Sequence, residues 1–127
     1  MRLSQKILKK RFKKFNEKYF NNYLTEPEFK VGGSKNIAGL FTANVLLEND
    51  EHGKEYAIEL NKIRIYFSKR LIFNSDILDN ILLHEMIHYY GYYMNEDIEG
   101  SHGKWFMTMA EKINKDGGYN IKEYYEE

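Results

Sequence analysis

The apolar segment from residue 77 to residue 87 constrains the fold most, and it carries the sequence His84-Glu85-Met86-Ile87-His88. A segment that is apolar on nearly every side predicts a helix at the centre of the core. The H-E-x-x-H spacing places two imidazoles one helical turn apart on one face, with Cβ atoms about 5–6 Å from each other. His84 and His88 can therefore bind one zinc ion, and Glu85 lies beside them as a candidate general base.

A catalytic zinc site takes three protein ligands and leaves the fourth position open to water. His102 is the favoured third ligand, because it shares the apolar stripe of a helix expected to begin near Ser101. Glu111 is the alternative third ligand, although it falls toward the opposite side of that helix. A metzincin site would need a histidine where Met94 stands, which excludes that class. A core helix whose histidines bond backbone groups is the alternative to any metal site.

The metal helix is predicted to begin at a cap formed by Ser75 or Asp76 and to run to about Tyr93. Four tyrosines crowd its second half, and most of them are expected to pack in the core with the hydroxyl at the surface. They are Tyr89, Tyr90, Tyr92 and Tyr93. Gly117-Gly118 are expected to end the third helix.

Upstream, apolar side chains at positions 8, 12, 15, 19 and 23 predict a first helix within residues 4–24, with Ser4 as its cap. The stretches 37–47 and 55–67 are rich in residues that favour strands and predict an antiparallel pair. His52 lies in the turn between them and is interpreted as a solvated turn residue rather than a ligand. The fold class is therefore α+β, with a small antiparallel sheet and three main helices.

Charge and length narrow the possible roles of the chain. Nineteen basic and nineteen acidic residues cancel, so the chain as a whole does not point to nucleic acid or membranes. There is no cysteine, which excludes disulfides and thiol catalysis. No apolar run approaches the length of a membrane span, and no secretory apolar segment is present. One domain over residues 1–127, located in the cytoplasm, is expected.

The first helix is the exception to this neutrality. Residues 2–18 hold eight Lys or Arg against one Glu, and five lysines lie off the apolar stripe. A solvated helix face explains this pattern, and weak DNA binding through phosphate contacts is the functional alternative. The five are Lys6, Lys9, Lys10, Lys13 and Lys14.

The segment Leu82–His88, followed by Gly100-Ser101-His102-Gly103 and then by Phe106, resembles the SprT-like metallopeptidase family. The resemblance extends upstream to Phe15–Phe20, Ala38-Gly39 and Ile63-Arg64-Ile65, and covers about residues 12–114. It implies a minimal zincin fold, with zinc bound by His84, His88 and His102, Glu85 as general base, and a protein or peptide as substrate. A zinc module without peptidase activity, either structural or associated with DNA, is the alternative function.

Overall fold

The computed structural model describes residues 2–96 and 102–123, and its helices and strands give the α+β class that the sequence predicts. The elements in chain order are α1 (Gln5–Tyr19), β1 (Glu28–Gly32), β2 (Gly39–Asn49), β3 (Glu55–Ser68), α2 (Ser75–Tyr93) and α3 (Lys104–Gly117).

Helix α1 begins where the sequence indicates, because the Ser4 hydroxyl accepts a hydrogen bond from the Ile7 N–H at 3.2 Å. Its apolar stripe is buried against the rest of the protein, as Leu8, Phe12 and Phe15 show. The helix ends at Tyr19, just before Asn21 and Asn22, whose residue type favours a helix end and which both adopt positive φ.

The strand order β1-β3-β2 places β3 at the centre of the sheet. Strands β2 and β3 pair antiparallel, as predicted, with Phe41 opposite Ile65. Their turn is closed by the Asp50 carboxylate, which accepts hydrogen bonds from the N–H groups of His52 and Lys54 at 2.8 and 2.9 Å. The His52 side chain is 83 % exposed, which confirms its interpretation as a turn residue.

Strand β1 makes the sheet mixed, and the prediction of a purely antiparallel sheet was wrong in this respect. It pairs parallel with β3, with Phe29 opposite Ile65. The sequence does not predict this strand, because it has only five residues and only Phe29 among them is buried. Pro27 before it and the Gly32-Gly33 pair at its end indicated turns rather than a strand.

Helix α2 lies at the centre, with β2, β3, α1 and α3 all in contact with it. Nearly every residue from Leu78 to Gly91 is buried. The cap is Asn74, whose side chain accepts from the Ile77 N–H at 2.9 Å, so the expected cap at Ser75 or Asp76 was wrong by one or two residues. The end at Tyr93 is as predicted.

Helix α3 starts at Lys104, three residues after the predicted start at Ser101, which lies outside the described residues. It ends at Gly117, and Gly118 adopts a φ of 71° that a residue with a Cβ rarely takes. Among the residues that the structure describes, no helix has both the length and the apolarity needed to cross a bilayer.

Candidate metal centre

Three histidines converge beside α2. His84 and His88 lie one turn apart on the side of the helix that faces α3, and their Nε2 atoms are 3.3 Å from each other. The Nε2 atom of His102 lies 3.1 Å from that of His88 and 3.2 Å from that of His84. His102 precedes the Gly103 cap, so the prediction that it lies on the third helix was wrong, although it reaches the predicted place.

The triangle of nitrogen atoms has the size that a tetrahedral zinc ion requires. Ligand bonds of about 2.0–2.1 Å at tetrahedral angles put two bound nitrogens about 3.3 Å apart. The three separations of 3.1 to 3.3 Å match this value closely. Burial lowers the pKa of His84 to about 3, and the neighbouring His88 adds to that effect, so the ring is neutral at pH 7. Neutral imidazole is the form that binds a metal. The spacing of the three histidines and the neutral state of His84 therefore fit a zinc ion.

The surroundings of the triangle orient the rings. The Nδ1 atom of His84 lies 2.8 Å from the carbonyl oxygen of Lys122. A carbonyl only accepts, so Nδ1 carries the proton and the lone pair of Nε2 faces the centre of the triangle. The ring of Phe106 packs against all three imidazoles, with centroids 4.8 to 4.9 Å away, and forms one wall of the site.

Glu85 is buried between α2 and β2, with 5 % of its surface exposed. One carboxylate oxygen accepts a hydrogen bond from the Phe41 N–H at 3.0 Å, and the other lies 3.9 Å from the Nε2 atom of His84. Burial raises the pKa of the Glu85 carboxyl to about 8, although the Phe41 N–H opposes part of that rise. A cation held by the three histidines would favour the ionised carboxylate, and in that form Glu85 is placed to accept a proton.

Gly39 allows this close approach of β2 to α2. A Cβ atom at Gly39 would lie 2.5 Å from Ile81 Cγ2 and 3.3 Å from the Glu85 carboxylate. Any larger residue would therefore push β2 away from α2. In the sequence, Gly39 stands out only as part of the family resemblance, which gives no sign of this packing role.

The structure does not bring Glu111 into the cluster, because that side chain is exposed on α3. Within residues 2–96 and 102–123, the His84, His88 and His102 group is the one set of three or more His, Cys, Asp or Glu side chains whose ligand atoms converge. Met94 caps the end of α2 and is 43 % exposed.

Tyr89 and Tyr90 on α2 are buried as expected, but their hydroxyls bond to other groups of the protein, and the prediction that they reach the surface was wrong. The Tyr89 ring stacks on Phe41, and its hydroxyl donates to the Thr25 carbonyl at 2.9 Å. The Tyr90 hydroxyl accepts from the Asn21 side chain at 3.1 Å. Both hydroxyls thus bind the connection between α1 and β1.

A sequence model of the SprT-like family matches residues 8–125, nearly the whole chain, and the matched region includes all three histidines and Glu85. No curated protein sequence matches the chain significantly.

Proposed function

This chain belongs to the SprT-like family, and we propose that it is a zinc-dependent endopeptidase. One observation carries the proposal: three imidazole nitrogens converge at ligand spacing with the Glu85 carboxylate beside them. Family membership alone supports a metallopeptidase-like domain, and this geometry supports the choice of reaction.

Zinc fits the donor set better than harder cations do. Three neutral imidazoles suit zinc, whereas magnesium and calcium prefer oxygen ligands. His84, His88 and His102 would hold the ion, and the fourth position would remain open. A zinc ion in such a site lowers the pKa of water toward neutrality and polarises a carbonyl group.

Glu85 is the proposed general base. Its carboxylate would take a proton from the attacking water and pass that proton to the amine that leaves when the peptide bond breaks. The hydrogen bond from the Phe41 N–H holds one oxygen of the carboxylate, so the other oxygen is positioned on the side of the histidines. Phe41 therefore acts as a positioning residue through its backbone.

Strand β2 is the proposed substrate-binding edge. It lies at the outside of the sheet and contacts α2 beside Glu85. The N–H and C=O groups of one strand residue point to the same side, and the Phe41 N–H points to Glu85 rather than to β3, so the Phe41 carbonyl also points away from β3. A peptide in extended form could pair there as an added strand, which recognises backbone more than side chains.

A purely structural zinc site is the competing proposal. Structural sites normally close all four positions with protein ligands. In the part of the chain that the structure describes, the cluster offers three. The buried Glu85 would also serve no purpose in such a site, since an unneeded buried carboxylate is costly. These two points favour the enzyme.

A second candidate function is weak nucleic-acid binding by α1. Lys6, Lys9, Lys10, Lys13 and Lys14 are all exposed along this helix. Lysines spaced in this way can contact consecutive phosphates without reading base sequence. The same exposure fits a solvated helix face, so binding itself has to be measured.

The decisive experiment replaces the proposed base. Glu85→Gln keeps the size of the side chain and removes the carboxylate, so we expect zinc content and folding to persist while hydrolysis of an unfolded protein falls by about 10² or more. Glu17→Gln, at an exposed position on α1, is the matched control and should hydrolyse at the wild-type rate. Equal rates for wild type and Glu85→Gln would refute the proposal.

A further inference from the structure

The segment from Gly118 to Glu123 has no helix or strand, yet it is fixed at four consecutive residues. The Tyr119 ring packs edge-on against Phe15 of α1, with centroids 5.7 Å apart. The Asn120 N–H donates to the Asn80 side chain of α2 at 2.9 Å. We call residues 118–123 the strap.

The next residue is clamped by α3. The Asn114 side chain accepts from the Ile121 N–H at 2.7 Å and donates to the Ile121 carbonyl at 3.0 Å. The Ile121 side chain is itself buried in the core, with 4 % exposed. One asparagine thus satisfies both backbone groups of a residue that has no strand partner, as required for buried backbone.

The fourth anchor is the Lys122 carbonyl, which accepts from His84 Nδ1 at 2.8 Å. The Lys122 side chain is exposed, so the backbone alone makes this contact. Since Ile121 is held on both sides, the carbonyl that follows it has little freedom to leave the ring of His84. The strap therefore holds a hydrogen-bond acceptor, the Lys122 carbonyl, in a fixed position next to His84.

We propose that the strap is a positioning device for the metal site, in which Asn114 and Asn80 hold the Lys122 carbonyl so that His84 presents the lone pair of Nε2. The inference rests on the proposed metal site and adds to it a dependence on residues that touch no metal. Histidine ligands commonly need such a partner on the other ring nitrogen, and losing it costs about 10- to 100-fold in metal affinity.

The chain offers a matched control at the end of α1. Asn16 clamps Leu24 with the same chemistry, accepting from the Leu24 N–H at 3.1 Å and donating to its carbonyl at 2.8 Å. Asn16 is more buried than Asn114, and the Leu24 carbonyl that it holds is a different group from the Lys122 carbonyl that accepts from His84. Asn16→Ala therefore reproduces the loss of a clamp without releasing the strap.

The test compares Asn114→Ala with Asn16→Ala in the full chain. Two quantities are measured: the zinc dissociation constant, by competition with a chromophoric chelator, and the ¹⁵N chemical shifts of His84 in metal-free protein, which distinguish the two ring tautomers. For Asn114→Ala we expect zinc affinity to fall by about 10- to 100-fold and the Nε2–H tautomer of His84 to appear. For Asn16→Ala we expect the wild-type zinc dissociation constant and the wild-type tautomer of His84.

Further variants keep the proposal falsifiable. If Asn114→Ala does not fold, Asn80→Ala should shift both quantities in the same direction. Lys122→Ala keeps the backbone carbonyl and should leave the zinc affinity and the His84 tautomer unchanged. A weaker affinity in this variant would show that the Lys122 side chain, rather than its carbonyl, supports the site. Wild-type affinity and tautomer in folded Asn114→Ala would also overturn the proposal. If wild-type protein bound no zinc, the proposed function would fail, while the tautomer would still decide whether the strap orients His84.

Discussion

Replacing Gly39 by alanine tests whether the distance between β2 and α2 is set by the absence of a side chain. The added Cβ would lie 2.5 Å from Ile81 Cγ2. Carbon atoms pack at about 3.5–4.0 Å, so β2 has to retreat by roughly 1 Å at this point. The Phe41 N–H is two residues further along the same strand, and its distance to the Glu85 carboxylate would grow from 3.0 Å to about 4 Å.

Two separate losses are expected from this retreat. Overpacking a filled interior costs about 1–3 kcal/mol of the free energy of unfolding. The lost hydrogen bond to Glu85 is a bond to a charged group in the proposed active form, worth about 1.5–3 kcal/mol. At about 1.4 kcal/mol per tenfold, we expect hydrolysis by folded Gly39→Ala to fall about 10- to 100-fold.

The assay combines urea unfolding, peptide hydrolysis and zinc content of the purified variant. Zinc content should stay close to wild type, because His84 and His88 face α3 rather than β2. Gly33→Ala is the control: its Cβ would meet the Arg70 side chain at an ordinary 3.5 Å, so stability and activity should barely change. Wild-type stability and wild-type hydrolysis in Gly39→Ala would show that this glycine does not set the spacing.

Two other predictions concern the ligands and α1. His102→Ala should lose zinc while Glu111→Ala keeps it, as measured by elemental analysis, and the reverse result would replace His102 by the glutamate. If α1 binds DNA through about three or four phosphates, the logarithm of affinity should fall against the logarithm of salt concentration with a slope of roughly −3 to −4 on duplex DNA. That binding should weaken when four exposed lysines are replaced by Gln, and binding unchanged by those replacements would exclude α1. The four are Lys9, Lys10, Lys13 and Lys14.

The central part of the site could be predicted from the sequence because its spacing is local. Helical periodicity places His84 and His88 on one face whatever the rest of the fold does. His102 was also expected near them, but it reaches the cluster from the residues before α3 rather than from the helix itself. The motif around His102 correctly predicts that this residue joins the cluster, whereas its assignment to a face of the third helix was wrong.

Two contacts to the site had no signal in the sequence. The Phe41 N–H and the Lys122 carbonyl are backbone groups. Every residue carries the carbonyl and every residue except proline carries the N–H, so no residue type marks them. Their positions follow from long-range packing of β2 and of the strap against α2. Strand β1 was missed for a related reason, since a short strand with one buried residue lacks the alternation that reveals longer strands.

The shape of β2 also bears on whether the protein stays monomeric in concentrated solution. An open strand edge can pair with the same edge of another molecule, and aggregation through such edges is a general hazard of small sheets. The pairing of β2 with β3 shifts register between Thr42 and Asn44 and again between Leu46 and Leu47. Irregularities of this kind twist an edge and interrupt a continuous ladder. The longest regular run that remains, Gly39–Thr42, offers a neighbouring strand only a short template, and it is the part that lies beside Glu85.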